Sequence, residues 1–227
     1  MQKKIIVVPL GRVVVKQMIP SIQYYCDMLV PDFSSIPSAR KLILNQLVQY
    51  IHNRRESKQV VNLVYICTHN SRRSHFGQIW AKVAAHYFHI DQVFTFSGGT
   101  EATAFNINAI KALRRIGFRV EASDLNQNSR YAVIYHNTAA PSICFSKTYD
   151  HPNNPKKDFA AIMTCSDAEQ NCPFIPGVDI RIATTYEDPK AFDNSPLQDI
   201  KYDERCRQIA LETFYVFSKV EGNRREV

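Results

Sequence analysis

The chain has no run approaching the roughly 18 consecutive apolar residues that a helical membrane span needs, so nothing in it reads as membrane-bound. Six cysteines in 227 residues are too few for a disulfide scaffold. They are read as reduced, chemically available thiols in a cytoplasmic setting. The histidines show no zinc-site spacing; His69 and His75 read as local hydrogen-bonding groups. Basic residues are in excess, giving a net charge of +7, but they are dispersed apart from short groups such as Arg54–Arg55 and Arg114–Arg115. That pattern argues for solubility and attraction of small anions, and against a nucleic-acid surface. Near the N-terminus, IIVVPLGRVVV has a basic lead-in, yet Pro9 and Arg12 interrupt it and no small-residue cleavage site follows. A secretory signal is therefore disfavoured. Met18 opens a more typical sequence, so residues 1–17 read either as part of the mature protein or as a segment ahead of its natural start.

What is present is enough for one well-buried domain with an extension. The stretch LVYICTHNSRRS, Leu63 to Ser74, organises it. An apolar strand, Val60 to Ile66, ends at Cys67, and Arg73 and Ser74 follow the next five residues. A chain that leaves a buried strand and turns directly into a helix points successive backbone N–H groups at one spot, where they bind an anion. A thiol at the start of that turn faces the anion. The helix N-terminus and Arg73 both favour thiolate over thiol, which makes Cys67 a candidate nucleophile. Arg73 offers a planar donor fork that matches a tetrahedral oxyanion, and Ser74 Oγ could donate to the thiolate. A buried packing cysteine is the alternative reading.

Residues 1–58 form an N-terminal extension in this reading. Cys26 lies there as a structural or free thiol, and the apolar positions Ile43, Leu44, Leu47, Val48, Tyr50 and Ile51 recur at helical spacing between Pro37 and His52. That amphipathic helix would pack on the catalytic domain or serve a dimer. Asn53 to Lys58 reads as a linker, and residues 59–227 as the catalytic domain. Its next helix carries Phe76, Ile79, Trp80, Val83, Ala84 and Tyr87 on one side as core. A strand at 92–97 leads to a Gly98–Gly99 turn, and Asn106 or Asn108 caps a helix ending at Gly117. The alternation implies a parallel α/β sheet. Residues 121–157, with an isolated Cys144, read as an insertion: a solvated loop first, a hairpin or flap over the site second. Strand Phe159–Thr164 ends at Cys165, with Cys172 seven residues on in a loop or short helix. Cys165 and Cys67 thus share the carboxyl edge of the sheet, where open α/β sheets carry their sites. After a strand at 179–183, Asp188 in YEDP is a candidate general acid on a mobile loop. A final helix, Asp203 to Val220, packs through Ile209, Ala210, Phe214, Tyr215 and Val216, with Cys206 as packing.

CTHNSRRS resembles the phosphate-binding loop of the low-molecular-weight protein tyrosine phosphatase superfamily. SGGTE at Ser97 to Glu101 resembles a second segment of that family. TCSDAEQNCP resembles the redox segment of its thioredoxin-coupled arsenate reductases; ordinary phosphatase members lack that cysteine pair. The resemblance covers most of residues 60–220 and implies a four-stranded parallel sheet flanked by helices. It implies Cys67 as nucleophile, Arg73 as oxyanion clamp, Asp188 as acid, and Thr68, His69, Asn70, Ser71, Arg72 and Ser74 as substrate-binding residues, with Asn70 and Ser71 also holding the loop's shape. It further implies a relay in which Cys165 attacks Cys67, Cys172 attacks the resulting disulfide, and thioredoxin reduces the product. The substrate would be arsenate, reduced to arsenite without a bound cofactor. A phosphatase for phosphotyrosine or small phosphoesters is the alternative, since it needs only Cys67, Arg73 and the acid. The chain departs from the family at Gln78, which stands where these reductases often carry a potassium-site glutamate, and at Arg72, which adds positive charge beside the oxyanion. Potassium dependence is left open.

Overall fold

The computed structural model describes residues 17–124, 126–171 and 174–222. Cys172 and residues 1–16 lie outside this set, and so do the expectations placed on them.

Four strands form the main sheet in the order β2-β1-β6-β7, all parallel: β1 (Val61–Cys67), β2 (Val93–Gly99), β6 (Phe159–Met163) and β7 (Val178–Ala183). This is the expected sheet. β1 lies inside it and is buried at every residue but Asn62, because a parallel strand covered on both faces meets water on neither. Side-chain alternation sends Val61, Leu63 and Tyr65 into a large core with the helices, and Val64 and Ile66 into a smaller one with Phe159, Ala161, Met163 and Cys165.

The large core is filled by α1 (Pro20–Leu29), α2 (Ser38–Glu56), α3 (Arg73–Tyr87), α4 (Ile107–Ile116) and α6 (Gln198–Gly222). Of the positions expected on the apolar face of α2, Leu44, Leu47, Val48, Tyr50 and Ile51 are buried and Ile43 is partly so. Burial of each such side chain is worth about 1.5–3 kcal/mol. This face packs against α6 and β7. α1 was not legible in the weak signals before residue 33; Ile22, Cys26 and Leu29 anchor it in the same core. Trp80 of α3 is fully buried, and its indole N–H donates to Cys206 Sγ at 3.2 Å.

Four expectations need correction. The linker at 53–58 is largely helix: α2 continues to Glu56, and Arg54 Nε donates to Val60 O at 3.0 Å across the joint. Gly98 and Gly99 are not a turn but the last residues of β2. Gly99 is required by a close approach, since a Cβ there would sit 2.4 Å from Glu101 O and 2.6 Å from Thr68 O. The final helix begins at Gln198, ahead of Asp203. Finally, residues 121–157 are not a solvated loop. With β3 (Arg119–Ala122), β4 (Tyr131–Ile134) and β5 (Ser142–Cys144) the chain builds a three-stranded antiparallel sheet. Val133 and Cys144 join the main core, so buried apolar side chains outweigh the local polar composition. α4 matches expectation: Asn106 Oδ1 accepts from Asn108 N and Ala109 N, and the helix stops at Gly117 in the left-handed region, φ 115°.

Candidate active site

The loop between β1 and α3 is shaped by bonds on its outer side. Cys67 O accepts from Thr100 N (3.2 Å), Thr68 O from Glu101 N (3.0 Å), and Ser71 O from Asn106 N (2.9 Å). Ser146 Oγ (2.8 Å) and Thr103 Oγ1 (3.2 Å) both donate to His69 O. A trans peptide directs its N–H opposite to its C=O, so pinning these carbonyls outward turns the adjoining amides inward. No acceptor among the described residues takes the N–H groups of residues 68–72. SGGTE and residues 103–106 are therefore the outer brace of the loop, and Ser146 from the insertion completes it.

Asn70 makes the turn possible. It is fully buried with φ 45°, a left-handed conformation that asparagine tolerates better than most residues. Its Nδ2 donates to Ser74 Oγ at 2.9 Å, and Ser74 Oγ lies 3.1 Å from Cys67 Sγ. Its Oδ1 accepts from Lys147 N at 2.9 Å. Ser71 Oγ donates to Ala104 O at 2.7 Å, so Asn70, Ser71 and Ser74 hold the loop's shape, whereas Thr68 and His69 offer their amides. Lys147 and Ser146 had no signal in the sequence, because an insertion residue whose backbone meets the loop carries no side-chain pattern.

Cys67 lines a narrow cradle together with His69, Ser71, Arg72, Arg73 and Asp188. Arg73 is buried; its Nη1 donates to Tyr186 O (2.7 Å) and its Nη2 to Asp188 Oδ2 (2.8 Å). Arg72 is also buried and pairs with Asp188 through Nε–Oδ1 (2.9 Å) and Nη2–Oδ2 (3.3 Å). Burial pushes the Asp188 carboxyl up, but Arg73, Arg72 and the Lys190 N–H outweigh it and hold it below the ordinary carboxylate range. The acid loop is thus pinned rather than free. Behind it, Tyr186 Oη donates to Glu212 Oε2 at 2.7 Å, and Arg40 of α2 pairs with the same oxygen at 2.8 Å. The Tyr186 carbonyl, a second anchor for Arg73, is a backbone atom that a sequence pattern does not reveal.

Cys165 joins the site from β6. Ile66 pairs with Met163 in register, and Thr164 N donates to Ile66 O at 2.7 Å. Cys165 therefore emerges beside the loop, with Sγ 3.4 Å from Thr68 Oγ1. It is buried under α5 (Ser166–Asn171), whose Ala168 N donates to Sγ at 3.4 Å. The other described thiols are removed from this chemistry: burial pushes Cys144 and Cys206 up to about 12, and Cys26 up further. His75, fully buried, bonds Ser97 Oγ through Nδ1 at 3.2 Å; burial, then the Lys147 charge, keep its ring neutral. Among the described residues, no group of three or more His, Cys, Asp or Glu could hold a metal. Gln78 Nε2 donates to Ile143 O at 3.2 Å while its buried Oε1 has no partner among the described residues, and the residue shares its pocket with Lys82 and Lys147. No helix among the described residues is long and apolar enough to cross a membrane.

The chain is 26% identical over 152 residues to arsenate reductase 2 of Staphylococcus epidermidis, spanning 67% of this chain and 94% of that protein. It is 27% identical over 154 residues to an arsenate reductase of Staphylococcus aureus, with the same coverage of 67% and 94%. Among solved structures it overlaps an arsenate reductase in the phosphate binding state at a TM-score of 0.40 and 14% identity, over 72% of this chain and 98% of that one. It overlaps an arginine phosphatase from Geobacillus stearothermophilus at 0.45 and 12%, over 73% and 94%. No protein-family model matches the chain.

Proposed function

From its likeness to arsenate reductases of Staphylococcus and the resemblance of its loop to that of the low-molecular-weight protein tyrosine phosphatase superfamily, we propose that this chain belongs to that superfamily and reduces arsenate to arsenite by thiol relay, with thioredoxin as the final reductant. One observation carries the choice of a reductase: a second buried thiol, Cys165, stands 3.4 Å from the first side chain after the nucleophile. A phosphatase has no use for it.

In this reading the amides of the loop and the Arg73 fork receive the oxyanion. Ser74 Oγ steadies the Cys67 thiolate. The thiolate forms a bond to arsenic as an As–O bond breaks, and the departing oxygen leaves as water with a proton from the oxyanion's own hydroxyl. Cys165 thiolate then attacks Cys67 Sγ. The S–As bond breaks, its electron pair passes to arsenic, and arsenite leaves with two thiols oxidised to a Cys67–Cys165 disulfide. Attack by Cys172 on Cys165 moves the disulfide to Cys165–Cys172 and frees Cys67; a reduced thioredoxin opens the new disulfide by the same exchange.

The test is arsenate-dependent NADPH oxidation with thioredoxin and thioredoxin reductase, plus mass-spectrometric mapping of the disulfide after one turnover. A Cys165–Cys172 bond is the expected product. Failure of turnover under conditions that support a known reductase would refute the proposal. Hydrolysis of an aryl phosphate that needs Cys67 but neither Cys165 nor Cys172, without arsenate turnover, would make the protein a phosphatase.

A further inference from the structure

Arg72 was expected to contact substrate, yet its guanidinium is spent on Asp188, through the 2.9 Å and 3.3 Å bonds. Arg73 gives Nη2 to Asp188 Oδ2 and Nη1 to Tyr186 O, while its buried Nε has no partner among the described residues. An oxyanion that takes the Nε–Nη2 edge of the fork competes with Asp188 for Nη2. Arg72 is then the cation left on the carboxylate. The other charged groups around Asp188 do not replace it. Glu187 on the same loop and Asp167 on α5 are acids; Arg205 on α6 shares the adjoining pocket with Glu187 and bonds Gln208; and His69 borders the cradle with a link to Glu101 at 3.7 Å.

We propose that Arg72 is a positioning residue that tethers Asp188 at the rim of the cradle as a carboxylate. It thereby favours oxyanions that bring their own proton over phosphomonoesters, whose leaving oxygen must take one from Asp188. The proposal rests on Cys67 as nucleophile. When an S–P bond forms and the ester P–O bond breaks, the electron pair stays on an alkoxide or aryloxide, and an ionised Asp188 has no proton to give it. The oxygen leaving arsenate is a hydroxyl. It already holds one proton and takes the second from a neighbouring hydroxyl of the same ion.

The test compares the full-length protein with Arg72→Leu and Arg72→Lys. The Asp188 carboxyl is titrated by carbonyl NMR, assigned with Asp188→Asn, and phenyl phosphate hydrolysis is set against p-nitrophenyl phosphate, whose leaving group needs no acid. In Arg72→Leu the Asp188 midpoint should rise by about one unit or more, as for loss of an opposite charge in contact. Phenyl phosphate turnover near neutral pH should rise about tenfold, because one unit gives tenfold more acid above the midpoint; p-nitrophenyl phosphate should change less. Arg72→Lys should restore most of both. An unmoved midpoint overturns the tether, and equal losses for both esters would make Arg72 an oxyanion ligand instead. Hydrolysis missing from every variant would sink the nucleophile and the selectivity together, while the titration still decides the tether.

Discussion

Cys165 Sγ lies 3.4 Å from Thr68 Oγ1, although 97 residues separate them in the chain. Parallel pairing of β1 with β6 produces the contact: with Ile66 opposite Met163, both strands end within one residue of each other at the same edge of the sheet. Cys165→Ser should stop arsenate-dependent NADPH oxidation while leaving aryl phosphate hydrolysis within about threefold of wild type, since truncating one sulfur leaves Cys67, Arg73 and the loop amides in place. Cys67→Ser should abolish both. Retained arsenate turnover in Cys165→Ser would exclude it from the relay.

Gly99 abuts the loop so closely that a Cβ would meet backbone atoms of Glu101, Thr68 and Asn70 at 2.4–2.7 Å. These are not side-chain ends that can swing away. Gly99→Ala should cost about 1–3 kcal/mol in urea unfolding and at least tenfold in turnover, because the loop amides must shift. Unchanged turnover with lowered stability would show that the brace serves the fold alone.

Half-buried Arg40 on α2 and buried Glu212 on α6 form an ion pair that also receives Tyr186 Oη. Removing only the cation leaves a buried carboxylate, so Arg40→Leu should destabilise the protein by about 3 kcal/mol. Adding Glu212→Gln should recover a large part of that loss. Denaturant titrations of the two variants would check this; a loss below about 1 kcal/mol in the single variant contradicts it.

Lys147 is buried, and burial brings its ammonium from 10.5 down to about 8. Between those values the unfolded chain binds more protons than the folded one, so this group makes stability rise with pH across that window. Below it the penalty is complete, and Lys147→Met removes it. Allowing for the lost contact with the Phe145 ring, Lys147→Met should be more stable than wild type by about 2 kcal/mol at neutral pH. That advantage should fade as pH rises from about 8 to 10.5. Urea unfolding of both proteins across this range gives the difference directly; a difference independent of pH refutes the assignment.

Local chemistry made the loop legible. A buried strand ending in Cys67 with Arg73 at the next helix start marks a candidate oxyanion loop from local sequence alone, and the period of α2 and the Asn106–Gly117 helix boundaries are properties of neighbouring residues. The segment 121–157 was not legible, because its polar residues are satisfied by distant partners: Asn128 Nδ2 donates to Ser146 O at 2.7 Å, and Ser146 Oγ reaches His69 O. Such bonds have no period in the sequence.

The amino-acid order by itself determined the parallel sheet, the turn from β1 into α3 and the candidacy of Cys67 and Cys165, because hydrophobic runs, turn residues and thiols at strand ends act over short spans. Only the tertiary structure decided that Arg72 and Arg73 both close on Asp188, that the insertion braces Asn70, and that Arg40 of the N-terminal segment supports the acid loop through Glu212. Each of these joins charged or polar groups far apart in the chain. Their pairing is set by which groups burial brings together and leaves needing a partner, and that is known only when the core has closed.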